Sequence, residues 1–271
     1  MKSALARFLY LRDAYGICRT AIGAGRAVLR RIAPAEPSPK QEPAKLAPDH
    51  VELHGSVIYT RNDWDTGIAY ETLEYMSQLE AGGLTEFRNV LDIGAHIGSF
   101  SVHLAKRSNI FGKIYAIEPS KSNYDLIWRN VEANSLATKI KPINAAASFR
   151  DGTAILVLDS ENTGGHHLST YLSGRDEQVR TIDVATLFDS TSPIDLIKID
   201  CEGWEFPIFR RLNKRLRSVK TIVGEFHRSN FSNPEHQQRY LERHGFQVSI
   251  FAEGDGIKSF FARNLHTRRS G

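Results

Sequence analysis

Beyond about Val51 the chain alternates short apolar runs with amphipathic stretches, the pattern of strands interleaved with helices. Residues 90–93 read as a buried strand and 100–106 as the body of a helix. Residues 113–117 form the next strand, and Tyr124, Ile127, Trp128 and Val131 mark the apolar face of the helix after it. Residues 140–144 are a third strand. Residues 154–158 and 178–182 read as paired strands around a Gly-rich loop, and 194–199, 221–226, 247–251 and 259–262 supply four more. The last two, joined by residues 252–256, read as a terminal antiparallel hairpin. Such alternation predicts an α/β domain whose mostly parallel sheet is covered on both faces.

The first 48 residues follow a different pattern. Phe8, Tyr15, Ile22 and Leu29 recur at seven-residue spacing beside Arg12, Arg19 and Arg26, so residues 1–32 read as a basic amphipathic helix. Gly16, Gly23 and Gly25 each weaken it by roughly 1 kcal/mol relative to Ala, which suits a helix that forms on a membrane surface or a partner. Residues 33–48 carry frequent proline and few large apolar groups and are expected to be an extended linker. The organisation is thus helix 1–32, linker 33–48 and a folded α/β domain over 49–271.

Composition changes this picture only in part. The net charge of +4 raises the question of nucleic acid. Lys2, Arg7, Arg12, Arg19, Arg26, Arg30, Arg31, Lys40 and Lys45 face only Asp13, Glu36 and Glu42 in the first 48 residues, leaving the remainder slightly acidic. A domain that tracks phosphates would carry its own basic excess, so no nucleic-acid partner is expected. Cys18 and Cys201 give neither a disulfide framework nor a zinc spacing, no apolar run reaches bilayer length, and a reducing cytoplasm is the expected compartment.

The chemistry starts at Asp92-Ile-Gly-Ala-His-Ile-Gly98, which follows a strand and opens a helix. Gly94 allows a sharp turn and close approach to a ligand, and Gly98 allows close packing at the helix start, whose N–H groups face a polar ligand. Glu118 ends the next strand, where a carboxylate can accept from both hydroxyls of a ribose. A dinucleotide turn would carry a middle glycine where this chain has His96, and Asp92 suits a ligand with an ammonium group. Both departures favour S-adenosylmethionine over NAD.

The chain resembles the FkbM family of S-adenosylmethionine-dependent methyltransferases. Val90-Leu-Asp-Ile-Gly-Ala-His-Ile-Gly-Ser-Phe100, Ala116-Ile-Glu-Pro119, Asn144-Ala-Ala146 and Ile197-Lys-Ile-Asp-Cys-Glu-Gly-Trp-Glu205 carry the resemblance. It implies a Rossmann-like, seven-stranded class I methyltransferase fold and methylation of a hydroxyl on a sugar, glycan or other small metabolite. It also implies that Asp92, Gly94, Ala95 and Gly98 border the methionine part of the donor and Glu118 its ribose. Asn144 and Ala145 are expected beside the adenine, and Glu71 to line the site.

Ligands bind beyond the carboxyl ends of parallel strands. Two acidic strand ends meet that condition, at Asp200 to Glu205 and at Glu225 to His227. Asp200 and Glu202 are expected to orient the acceptor, contact the donor or bind a divalent cation, although no metal is assigned. His227 is the expected base, because an ordinary imidazole takes up a proton near neutral pH. Glu205 reads as a helix-start carboxylate, and His166 and His167 as a loop pair without a catalytic role. Two other readings compete: an NAD-dependent oxidoreductase, and a catalytically silent binding module recruited by its N-terminal helix.

Overall fold

A computed structural model describes residues 50–159, 163–169, 176–191, 194–254 and 256–267 of the protein. The helix and linker read from residues 1–48 lie outside the described residues.

Strands β1 (His50–Leu53) and β2 (Ser56–Tyr59) form a hairpin. Helix α1 (Asp63–Ala81) begins where the Asn62 side chain accepts the Asp65 N–H. There follow β3 (Glu86–Phe87), β4 (Asn89–Ile93), α2 (Ser99–Arg107), β5 (Asn109–Ile110), β6 (Ile114–Glu118), α3 (Lys121–Ala133) and β7 (Ile140–Asn144). Next come β8 (Ala146–Ser148), β9 (Gly152–Val157), β10 (His167–Ser169), β11 (Asp176–Asp183) and α4 (Val184–Thr191). The chain closes with β12 (Ile194–Ile199), α5 (Glu205–Leu212), β13 (Thr221–His227), α6 (Pro234–Arg243), β14 (Phe246–Gly254) and β15 (Ile257–Asn264).

Seven strands make the central sheet, in the order β14-β15-β13-β12-β4-β6-β7. Only β15 runs against its neighbours, so the expected mostly parallel sheet with a terminal antiparallel hairpin is what the chain forms. Period-two alternation along each strand assigns its side chains to opposite cores. Val90, Ala116, Leu196 and Val223 join the core beneath α1, α2 and α3. Their neighbours Leu91, Ile117, Ile197 and Ile222 join the opposite core, with Phe209 of α5 and Leu241 of α6. Burying each Val, Leu, Ile or Phe among them contributes about 1.5–3 kcal/mol. The two expected strands around the Gly-rich loop, β9 and β11, do pair antiparallel, in a second, four-stranded sheet ordered β10-β9-β11-β8.

Strand order reverses between β4 and β12, which pair parallel with Leu91 opposite Ile197. The crevice beyond their carboxyl ends is therefore where a ligand is expected. Among the described residues no helix is long and apolar enough to cross a membrane.

Candidate active site

The glycine turn lies at the end of β4, where the amides of Gly94 and Ala95 both donate to the Ile117 carbonyl, at 3.1 and 3.0 Å. Gly94 sits at φ +74°, and a Cβ there would come within 1.7 Å of the Asp200 carbonyl oxygen. Its missing side chain thus makes room for the end of β12. Gly98 behaves as expected, since at φ +79° a Cβ would crowd Ile127 of α3 at 3.0 Å. Ala95 is buried beside the turn.

Asp92 is fully buried beneath the turn, with Ser101 Oγ donating to Oδ2 at 2.6 Å and Lys198 Nζ 3.8 Å from Oδ1. Burial raises its pKa, opposed by Lys198 and Ser101. So enclosed, its carboxylate braces the turn through Ser101, while Oδ1 makes no hydrogen bond. Lys198 donates to the Gly94 carbonyl at 2.7 Å and stands 3.6 Å from Asp200, tying the ends of β4 and β12 together. Burial works to lower the pKa of this lysine, but Asp200 and Asp92 hold it above its ordinary value.

Glu118 closes β6 where predicted. Its carboxylate accepts from the His96 and Ser120 amides, both at 3.0 Å, and from Asn123 Nδ2 at 3.3 Å. Burial pushes its pKa up to about 7 against those hydrogen bonds. Asn144 ends β7, and its amide donates to the carbonyls of Glu118 and Pro119 at 3.0 and 2.9 Å, while Ala145 is buried beside it. Glu71 lies half-buried on α1. Asn144 also lines a groove with Tyr124, Ile143, Arg180 and Leu187.

A polar network that sequence reasoning missed covers the turn. Asp65 Oδ1 accepts from Thr163 Oγ1 at 2.6 Å and lies 3.3 Å from His96 Nε2, while Oδ2 accepts from Arg61 Nε at 2.8 Å. Arg61 also donates to Asn123 Oδ1 at 2.6 Å, connecting the network to Glu118. Burial works to raise the Asp65 pKa, but His96 and Arg61 hold it well below the usual carboxylate range. His96 itself, buried and at φ +51°, is depressed by burial although Asp65 opposes the shift. His166 Nδ1 accepts from the Asp159 amide at 3.1 Å, a contact within the β9–β10 connection.

At the other end of the crevice, Asp200, Glu202 and His227 converge, with one potential ligand atom from each lying within 4.8 Å of the others. Glu205, fully buried at the start of α5, accepts from the Cys201 and Gly203 amides, both at 3.1 Å, and lies 3.0 Å from His227 Nδ1. It therefore anchors the turn and the imidazole, a larger role than a helix-start carboxylate. Burial opposes the charge on His227, but Glu205, Glu202 and Asp200 raise its pKa well above the ordinary value. The ring is thereby held with Nδ1 on Glu205 and Nε2 turned toward Glu202 and Glu225. Burial also lifts Glu202 above the usual carboxylate range, with His227 opposing and Asp200, Glu225 and Glu205 adding to the rise. At the rim, the Trp204 ring stacks on Phe149 with centroids 6.1 Å apart and lies 5.2 Å from Phe231.

A ribose-bearing donor suits this arrangement. The Glu118 carboxylate ends β6 beside the α2 N-terminus, and Asn144 braces the backbone around it.

Comparison with known proteins agrees in kind. The curated Methyltransferase sdnD of Sordaria araneosa is 24% identical over 193 residues, covering 59% of this chain and 74% of its own. The solved precorrin-6y C5,15-methyltransferase of Geobacter metallireducens is 16% identical, with a TM-score of 0.43 over 72% of this chain and 86% of its own. M. jannaschii TYW2, solved with AdoMet, is 15% identical, with a TM-score of 0.41 over 79% and 84% of the two chains. Neither structural likeness is close enough to bear on the assignment. The Methyltransferase FkbM domain model matches residues 92–248, which run from the glycine turn through the acidic strand ends into β14, and the chain belongs to the FkbM methyltransferase family.

Proposed function

We propose that the protein transfers a methyl group from S-adenosylmethionine to a hydroxyl of a sugar, glycan or other small metabolite. The buried Glu118 carboxylate beside the glycine turn carries the donor half of this reading, as the acceptor for two ribose hydroxyls. His96 stands where a dinucleotide turn would need its middle glycine, which disfavours NAD.

The donor arrives activated, so the protein's task is to align the acceptor and take its proton. Glu202 is basic for a carboxylate and half-buried, and it lies 3.5 Å from the Nε2 of His227. In this reading the acceptor O–H gives its proton to Glu202 while its oxygen attacks the methyl carbon. The carbon–sulfur bond breaks and S-adenosylhomocysteine departs neutral. Trp204 and Phe231 offer the acceptor an apolar platform next to that carboxylate.

Titration calorimetry with S-adenosylmethionine and S-adenosylhomocysteine tests the donor half, and failure to bind either in the micromolar range would refute it. Incubation with methyl-labelled donor and a panel of hydroxylated and aminated acceptors tests the rest. Label appearing only on amines would refute O-methylation.

A further inference from the structure

The acceptor end buries more negative charge than proton removal requires. Asp200, Glu202, Glu205 and Glu225 surround one imidazole, and the nearby Lys198 is shared between Asp200 and Asp92. Carboxylates withdrawn from water without matching cations are costly, and Glu205 Oε2 is buried with no hydrogen-bond partner.

The geometry of His227 is an independent sign. The side chain is 7% exposed, and its Nδ1 is committed to Glu205 at 3.0 Å. That fixes the ring and aims Nε2 at Glu202 and Glu225, each 3.5 Å away. These separations exceed the roughly 2.7–2.9 Å of a charge-assisted hydrogen bond. The His227–Glu202 separation matches the spacing of groups facing a shared ion, because ligands about 2.1 Å from one ion stand roughly 3.0–3.5 Å apart at octahedral to tetrahedral angles, and a ligand atom of Asp200 lies within 4.8 Å of both. A histidine whose second nitrogen is held by a carboxylate is also the usual outer support of a metal site.

We propose that Asp200, Glu202 and His227 Nε2 bind one divalent cation. Two carboxylates and an imidazole suit Mn²⁺, which accepts oxygen and nitrogen ligands. Three protein ligands leave coordination positions for the acceptor oxygen. This inference rests on the methyl-transfer reading for its role: the ion would hold the acceptor oxygen and ease loss of its proton. The proton would pass to the oxygen of Glu202 that does not ligate, and from there to solvent. Glu205 would act as a positioning residue through His227.

The test titrates Mn²⁺ into the metal-stripped full-length chain, following the free-ion paramagnetic resonance signal, with S-adenosylhomocysteine calorimetry in parallel. One saturable site per chain in the micromolar range is expected. Glu202→Gln and Asp200→Asn should each weaken it at least about tenfold. Both positions are half-buried, and thermal unfolding would confirm that each variant folds. In Glu202→Gln, S-adenosylhomocysteine affinity should stay within about threefold of the parent. Absence of saturable binding up to millimolar Mn²⁺, or a site unaffected by both substitutions, would overturn the proposal. Mn²⁺ binding without S-adenosylhomocysteine binding would instead uphold the metal site and reject the donor reading.

Discussion

The two ends of the crevice are built on opposite principles. At the β4–β6 end, backbone shape dominates: a turn pressed against β12, amides donating to Ile117 and Glu118, and a carboxylate satisfied by three donors. At the β12–β13 end, side-chain charge dominates, with four acids gathered around His227. The first arrangement suits a ligand that is the same in every turnover. The second suits chemistry, where a proton has to move and charge has to be offset. The contrast predicts that damage at one end will be read in folding and donor affinity, and at the other in turnover.

Gly94→Ala should break the contrast most severely. A Cβ 1.7 Å from the Asp200 carbonyl would push both ends apart, costing roughly 3 kcal/mol or more of stability and abolishing S-adenosylhomocysteine binding. Thermal unfolding and calorimetry on one sample would show both effects. Glu202→Gln should then separate the ends, lowering turnover about 100-fold while the melting temperature is nearly unchanged. A matching loss of donor affinity would mean that the two ends do not divide the work.

Glu118→Gln should weaken donor binding about tenfold, the loss of a charge-assisted acceptor. In the parent, Glu118 protonates as the pH falls through about 7 and then no longer accepts fully from the ribose hydroxyls. Donor binding should therefore weaken at low pH, by about tenfold between pH 8 and pH 6 if only the ionised form binds. Calorimetry across that range should show the slope in the parent and a flat profile in Glu118→Gln. Phe231→Ala should have the smallest effect, raising the acceptor KM a few-fold, on the order of 1 kcal/mol, and leaving donor affinity unchanged.

Much of this was legible in the sequence because it is local or periodic. Residues 90–93 fall within β4, Glu118 ends β6, and the alternation of apolar positions gave the parallel sheet and its terminal hairpin. What escaped were consequences of long-range packing. Thr163 and Asp65 meet across 98 positions, and Lys198 and Gly94 across 104. One signal was available: Lys198 is a charged residue within a wholly buried strand, and such a residue needs a nearby partner. The orientation of the His227 ring had no comparable signal, since it depends on Glu205 being folded back beneath it. Nor could the sequence reveal that Asp92 would be enclosed, because one of the residues beside it, Lys198, lies more than a hundred positions further along the chain.

The clasp made by Lys198 has a consequence for how the protein is born. Chains emerge from the ribosome N-terminus first, and β4 precedes β12 by about a hundred residues. Until residues 198–200 arrive, the Gly94 carbonyl and Asp92 lack their cation, and the turn lacks the backbone against which it is shaped. A half-made chain would therefore contain the whole glycine motif without the backbone that shapes it. In the methyl-transfer reading, competence is expected only once the sheet closes, so an incomplete copy should bind S-adenosylmethionine more weakly than the whole chain.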